Sequence, residues 1–296
     1  MVERKTIGGR VFDVFNYAFM ILLSVICLYP MWHVLIGSFS DPVRLTKHYG
    51  AIFMPLGFSL EGYKVVFNNP NIASGYMNTI FYVVIGTAAR MLATLVGAYI
   101  ISRKGFMPRK ILTFMMVFTM YFSGGMIPTF LVVKAVGIYD TRAAIIIPSL
   151  ISTWNLIILK TALQAVPASL EESARLDGAN ELTIMFRILL PVTKATIAVI
   201  ALYYAVAEWN SWFPAMIYLR DNSKKPLQLF LREILIQNSQ NSGNQTANVD
   251  MDVSAIFLEE LIKYCTIIVA TLPILCIYPF MQKYFVTGVM MGSIKE

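Results

Sequence analysis

Long apolar runs separated by short polar connections set the pattern of this 296-residue chain. A helix needs roughly 20 apolar residues to cross about 30 Å of hydrocarbon. Six runs reach that length: 15–39, 77–102, 111–136, 143–165, 192–219 and 261–283. The expected fold class is therefore an all-α integral membrane protein with six transmembrane helices. An even count puts both termini on one side. The connection after the second run reads SRKGFMPRK and carries Arg103, Lys104, Arg109 and Lys110, while Arg4, Lys5 and Arg10 lie ahead of the first. Lys and Arg gather in cytoplasmic loops, so that side is expected to be the cytoplasm. The organisation that follows is a cytoplasmic segment over 1–14, a membrane domain over 15–283 and a cytoplasmic tail over 284–296.

The connections differ in kind. Residues 40–76 hold Pro42, Pro55 and Pro70 and are expected to form an irregular outer cap. Within 220–260, the stretch QNSQNSGNQTANVD (237–250) is polar and of low complexity, which predicts a surface loop; the triplet Asn244-Gln245-Thr246 inside it is too short a pattern to argue from. Gly124, Gly125 and Pro128 are expected to break the third run. The connection 166–191 is the most informative. Pro167 ends the preceding helix. Ser169 with Glu172 three positions on reads as a capping box. Gly178 suits a left-handed helix end. Asn180 caps a second helix from Glu181, and Pro191 opens the next run. Two short helices around a glycine turn are thus expected at the cytoplasmic face, between spans 4 and 5, where a soluble partner can reach them.

Composition agrees. Charged residues make up 14% and hydrophobic ones 57%, with a mean hydropathy of +0.64, against about 25% charged in soluble domains. The net charge of +7 is explained by loop cations flanking spans, so no nucleic-acid partner is expected. Cys27, Cys265 and Cys276 lie in apolar runs without a CxxC neighbour; all three are expected as small buried hydrophobes, and no metal site is expected. The N-terminal apolar run is too long for a cleavable signal peptide.

The spacing in the fourth connection carries a resemblance. Glu172-Ser173-Ala174, three residues, Gly178, nine residues, then Ile188-Leu189-Leu190-Pro191 resembles the EAA signature of ABC importer permeases, with Ser173 where alanine is usual. Supporting stretches are SRKGF at 102–106, FSGGMIPTFLVVKAVGIYDTRAAIIIP at 122–148 and WNSWFPAMIYL at 209–219. The likeness is to the carbohydrate-uptake branch of type I importers, the maltose-type and oligosaccharide permeases. It implies a bacterial plasma-membrane protein that forms a heterodimer with a second, homologous permease. It also implies a cytoplasmic ATP-binding subunit pair, an extracytoplasmic sugar-binding protein or lipoprotein, and a coupling helix between spans 4 and 5. On that resemblance Glu172, Ser173, Ala174, Gly178, Leu190 and Pro191 form the ATPase-coupling elbow.

Charges inside spans mark bundle interiors or cavities. Glu208-Trp209-Asn210-Ser211-Trp212 combines aromatic faces with hydrogen-bonding groups, which suits a sugar path; an interfacial aromatic belt with a paired Glu208 is the plainer reading. Asn155 and Asn78 are further path candidates. Arg90, mid-span, pairs with Glu208, snorkels, or attracts an anionic sugar. No GxxxxGK[ST] loop is present, so the chain is expected to be no enzyme itself, to hold no cofactor and to use a partner's ATPase. A lone secondary transporter would often carry internal repeats, and none stands out. No HExxH motif or nucleophile elbow supports a membrane enzyme. An importer of amino acids, peptides or ions remains the alternative.

Overall fold

The computed structural model describes residues 7–103, 105–243 and 253–293. Arg4, Lys5, Lys104 and the triplet 244–246 lie outside them. The chain forms helices joined by short turns, and among the described residues the sole β pairing is an isolated bridge between Ser40 and Phe58. It divides into two compact units, Met1–Asn69 with Glu233–Leu272, and Pro70–Arg232 with Pro273–Glu296.

The first unit begins with α1 (Ile7–Ser38), apolar on all sides and buried only at Gly37 and Ser38. Then come α2 (Pro42–Lys47) and α3 (Glu61–Asn68). Asp41 caps α2 by accepting from the Val43 and Arg44 amides at 3.1 Å, as short polar side chains do at helix starts. The residues 40–76, expected to be irregular, therefore hold two helices and the beginning of a third.

In the second unit, α4 (Pro70–Ser102) starts seven residues earlier than the apolar run suggests and contains a π-helical turn at Tyr82–Gly86. Proline is tolerated at a helix start, and Pro70 takes that place. α5 (Arg109–Tyr121) and α6 (Met126–Ala135) are bent by 119° at Gly124–Gly125, where Gly125 has φ 84°, a backbone region open to glycine. α7 (Ala143–Ser149) and α8 (Thr153–Gln164) meet at 52°, after Pro148. α9 (Ala168–Leu176) and α10 (Glu181–Val192) form the elbow; α10 meets α11 (Lys194–Trp209) at 86°. α12 (Phe213–Tyr218) follows a break at 210–212, with Pro214 in its first turn. The expected fifth span 192–219 is thus two helices, and Pro191 lies inside α10 with the bend after it, at Thr193.

α13 (Leu227–Gly243) and α14 (Val253–Ser293) complete the chain. α13 runs through the first half of the polar stretch read as a loop; a helix once nucleated propagates through residues of indifferent propensity. Cys265 is buried, and its Sγ lies 3.4 Å from the Ser38 carbonyl oxygen. Cys27 and Cys276 are exposed, contrary to expectation: their helices turn those faces outward, where an apolar side chain suits lipid equally well.

Among the described residues, three helices are long and apolar enough to cross a membrane, and up to six do if each bent pair counts as one span. The core of the second unit gathers Met91, Ala98, Leu156, Leu159, Leu163 and Ile200. Gly97 lets α4 and α8 approach closely: a Cβ there would stand 2.9 Å from Leu156 Cδ1. Small residues serve this purpose at membrane helix interfaces.

Candidate functional site

The elbow follows from local rules. α9 ends in a Schellman motif, with the Ala179 amide donating to the Ala174 carbonyl at 2.9 Å and the Gly178 amide to the Arg175 carbonyl at 3.1 Å. Gly178 has φ 80°, the left-handed cap that glycine adopts without cost. Asn180 then caps α10 by accepting from the Thr183 amide at 2.8 Å. The start of α9 differs from expectation. Pro167 is the N-cap and no side chain caps the helix, so Ser169 lies within the first turn and the Ser169–Glu172 box does not form. The physical reason is that a proline with helical φ begins the turn before the serine can.

The inner side of the elbow is anchored. Ala174, Ile184, Met185 and Leu189 are buried in the core with Leu159 and Leu163. Glu171, in the first turn of α9, pairs with Arg103 at the end of α4; both side chains are mostly buried. The Arg103 guanidinium also lies 4.5 Å from the Tyr99 ring centroid, and Tyr99 donates its hydroxyl hydrogen to Glu181. Arg175 and Glu181 pair across the turn at 2.5 Å. Half-exposed pairs of that kind contribute little, so the Arg103–Glu171 pair does more to fix the elbow.

The outer side is bare. Leu176 is 89% exposed, Leu182 65% and Phe186 50%, and Glu172, Ser173 and Gly178 are exposed beside them. Glu172 has no ion pair among the described residues. Of the six elbow residues read from the sequence, Ala174 faces inward, Leu190 is half-buried, and Glu172, Ser173, Gly178 and Pro191 face out. A cavity of about 720 Å³ opens between Arg103, Phe106, Glu171, Glu172 and Arg175. A surface that is apolar at Leu176 and Leu182, anionic at Glu172 and rigidly backed is suited to a partner offering a groove and a cation.

A second constellation lies inside the bundle. Arg90 on α4 pairs with Glu208 on α11, which is 2% exposed. The same guanidinium donates to Ser149 Oγ at 2.6 Å. Thr94 and Tyr204 share a hydroxyl contact at 2.7 Å, and the Ser152 amide donates to Tyr204 Oη at 3.2 Å. Helices α4, α7, α8 and α11 are thereby tied together through buried polar groups. Glu208 Oε2 and Arg90 Nε are buried without a hydrogen-bond partner, so the pair is not fully satisfied. The π-turn in α4 and Gly86 make room: a Cβ on Gly86 would stand 3.4 Å from Glu208 Cδ.

The other path candidates lie on several elements. Trp209 is buried beside Tyr76, with ring centroids 6.2 Å apart. Asn210 ends α11, its amide donating to the Val206 carbonyl at 2.9 Å. Trp212 lies under the Arg232 guanidinium at 3.6 Å. Asn155 is buried in the first turn of α8. Asn78 is engaged elsewhere. Its amide donates to the Ser223 and Lys225 carbonyls at 2.7 and 3.1 Å and accepts from Arg142 at 2.9 Å. Tyr99, Glu171, Ser149 and Tyr204 carry no signal in the sequence. Arg103 reads there only as a loop cation, and no local spacing links it to Glu171.

At the far end of the unit, the Asp140 carboxylate accepts from the Arg220 and Asp221 amides at 3.0 and 3.2 Å. These backbone donors hold the Asp140 carboxyl below its usual pKa; its backbone is left-handed at φ 56°, a region Asp tolerates.

Residues 91–215 match the family described as binding-protein-dependent transport system inner membrane component. The chain is 43% identical over 287 residues to the polygalacturonan/rhamnogalacturonan transport system permease protein YtcP of Bacillus subtilis, covering 97% of this chain and 99% of that protein. It is 42% identical over 291 residues to protein LplC of the same organism, covering 98% and 97%. A crystal structure of a bacterial ABC transporter involved in the import of the acidic polysaccharide alginate contains a chain with TM-score 0.85 and 30% identity. That match covers 96% of this chain and 100% of the other.

Proposed function

The chain belongs to the inner-membrane components of binding-protein-dependent transport systems, and from that premise we propose that it is a permease subunit of an ATP-driven importer of acidic oligosaccharides. The observation that carries the reading is the elbow at 166–191: anchored inward through Arg103–Glu171, bare outward at Glu172, Leu176 and Leu182. A chain with no phosphate-cradling loop of its own needs such a handle for an external ATPase. Membership in the family implies that ATPase, a substrate-binding protein and a lipid bilayer as partners.

The finer assignments rest on the same premise. Each bent helix pair counts as one span, which gives six and puts both termini and the elbow in the cytoplasm. The domain then covers 15–283, and its partner across the translocation path is a second, homologous permease. Glu172 meets a cation of the ATPase, Ser173 and Gly178 allow close approach, and Leu190 and Pro191 pass the motion into α11. Trp209, Asn210 and Trp212 offer stacking faces and polar contacts to sugar. Glu208, Asn155 and Asn78 are buried; a role in direct contact requires Glu208 to leave Arg90 and Asn78 to leave Ser223. Acidic sugar is favoured because two relatives are described with polygalacturonan and alginate, both uronate polymers, and because Arg232 over Trp212 pairs a cation with an aromatic face.

The test is reconstitution of the complete complex in liposomes with its binding protein. ATP-dependent uptake of oligogalacturonate, and labelling of Leu176→Cys only from the cytoplasmic side, are expected. Uptake without an ATPase subunit, or labelling from outside, refutes the assignment.

A further inference from the structure

Three cations on one edge of the second unit stand without a counter-charge among the described residues. Arg109 and Lys110 open α5, and Lys160 projects from α8; with Thr113, Phe114 and Val117 they line an open cleft of about 380 Å³. Lys160 Nζ donates to Thr113 Oγ1 at 3.3 Å, a neutral partner that leaves its charge uncompensated. Among the described residues no carboxylate pairs with any of the three. Arg109 and Lys110 also stand at the positive end of a helix, where anions are favoured and cations are not. A lysine inside an apolar span calls for a partner or a functional reason. Lys110 is exposed while Arg109 and Lys160 are half-buried, so the demand for a counter-charge falls on those two, and a single anion in the cleft meets it.

The same helix supplies an apolar continuation. Phe114, Phe118 and Phe122 follow one another at one-turn spacing, with ring centroids 6.4 and 4.4 Å apart, and all three are exposed. α5 buries none of its residues in this chain. Cations at the helix end and an aromatic ladder descending from them reproduce the polarity of a phospholipid: phosphate above, acyl chain below. Basic pockets between membrane helices on the cytoplasmic side take anionic headgroups. A docked protein would satisfy the charges but leave the ladder, which points along the span, without a reason to start at the cleft.

We propose that the cleft between the start of α5 and the end of α8 holds the phosphate headgroup of an anionic phospholipid, whose acyl chain lies along Phe114, Phe118 and Phe122. The site rests on the membrane-spanning reading of the chain and is independent of which solute is carried.

The complete transporter, purified in detergent, is titrated with dioleoyl phosphatidylglycerol or dioleoyl phosphatidylcholine and bound lipid is counted by native mass spectrometry. Selective retention of phosphatidylglycerol is expected. Lys160→Gln should weaken it about fivefold, the equivalent of about 1 kcal/mol per cation near a membrane surface. Arg109→Gln/Lys110→Gln/Lys160→Gln should weaken it on the order of a hundredfold, while Lys134→Gln leaves it unchanged. Phe118→Ala should weaken it several-fold, and excess inorganic phosphate should not displace it. Equal retention of lipid by Lys160→Gln overturns the proposal, and that single variant decides if the triple variant fails to assemble. Displacement by inorganic phosphate with no effect of Phe118→Ala assigns the cleft to free phosphate and overturns it too. Loss of the ATPase subunit with unchanged lipid retention assigns the cleft to the protein partner, which likewise overturns it. Failure of the sugar-import reading appears in uptake and not in lipid retention, so the two are separable.

Discussion

Arg103 and Glu171, 68 positions apart in sequence, form an ion pair that ties the end of α4 to the first turn of α9. Their side chains are only 18% and 19% exposed, so removing one leaves the other's charge in a setting that water screens poorly. Breaking a fully buried pair costs about 3–5 kcal/mol; partial exposure lowers this to about 1–2 kcal/mol. Together with the Tyr99–Glu181 hydrogen bond, the pair links α4 to the elbow directly. Arg103→Gln or Glu171→Gln should leave basal ATP hydrolysis of the complex intact and reduce its stimulation by loaded binding protein several-fold. The swap Arg103→Glu with Glu171→Arg should recover part of the loss. Undiminished stimulation in both single variants would show that the pair is ornamental to coupling.

Glu172, one residue further on, is exposed and without an ion pair among the described residues. Its substitution should therefore cost little stability and much coupling. Glu172→Lys should insert and fold as the parent does, with a thermal midpoint within a few degrees, and should abolish substrate-stimulated hydrolysis or assembly with the ATPase. Stimulated turnover at the parent rate in reconstituted complex would end the assignment of this glutamate.

Trp209 and Asn210 separate the sugar-path reading from a purely structural one. Trp209→Ala removes a buried ring packed on Tyr76 and should lower both stability and uptake. Asn210 is exposed, and its amide serves only the local Val206 carbonyl, so Asn210→Ala should be neutral to folding. Uptake reduced about tenfold in Asn210→Ala, with ATPase co-purification unchanged, is the expected result. Parent-like uptake in that variant would leave Trp209 a packing residue.

The elbow is legible in the sequence because its determinants are local. Gly178 supplies a positive φ, Asn180 an N-cap, and their spacing fixes two helix ends without reference to the rest of the chain. The break at Gly124–Gly125 is legible for the same reason, though nothing in the sequence gives the 119° angle. The Ser169–Glu172 box fails because Pro167 competes for the same helix start and takes the N-cap position two residues earlier. The start of α4 at Pro70 is hidden because 70–76 is polar enough to resemble a loop, while Gly75 packs against Leu227: a Cβ there would stand 3.0 Å from the Leu227 Cα. Arg103–Glu171 and Tyr99–Glu181 are illegible in principle, since they join positions that only tertiary folding brings together. Arg90–Glu208 lies between these extremes. Two lone charges in apolar runs invite pairing, but the partner Ser149 and the network through Tyr204 leave no signal.

The Asp140 turn makes a prediction in pH. Its carboxyl is held below the usual value by the Arg220 and Asp221 amides, and the Asp221 carboxyl is lowered as well by Ser223 and Lys224. A depressed pKa in the folded state means the stabilisation is complete above the unfolded carboxylate value of about 3.9 and is lost as pH falls through the lower folded value. The turn should hold unchanged from pH 8 to pH 5 and loosen only under strong acid. Asp140→Asn removes the charge at every pH, so faster amide exchange at Arg220 and Asp221 is expected throughout that range. Protection of those two amides unchanged in the variant would show that the loop is held by Lys224 and the Tyr218 carbonyl instead.

Arg90 and Glu208 allow a sharper test, because the two ways of removing a buried pair differ in sign from a simple sum. Arg90→Met leaves Glu208, 2% exposed, as an uncompensated carboxylate among apolar side chains, at a cost of about 3–5 kcal/mol. Glu208→Gln leaves the guanidinium with Ser149 as a neutral partner and should cost somewhat less. Arg90→Met with Glu208→Leu removes both charges and both desolvation penalties, so its stability should return to within about 1–2 kcal/mol of the parent. Denaturant unfolding of the parent, Arg90→Met, Glu208→Leu and the double variant in one detergent gives the coupling energy directly. Transport then separates structure from mechanism. If the pair only holds α4 to α11, the double variant should import at near the parent rate. If the carboxylate must part from Arg90 to let an acidic sugar approach the guanidinium, the double variant should be stable and inactive. A double variant no more stable than Arg90→Met would mean that the two side chains are not energetically paired at all.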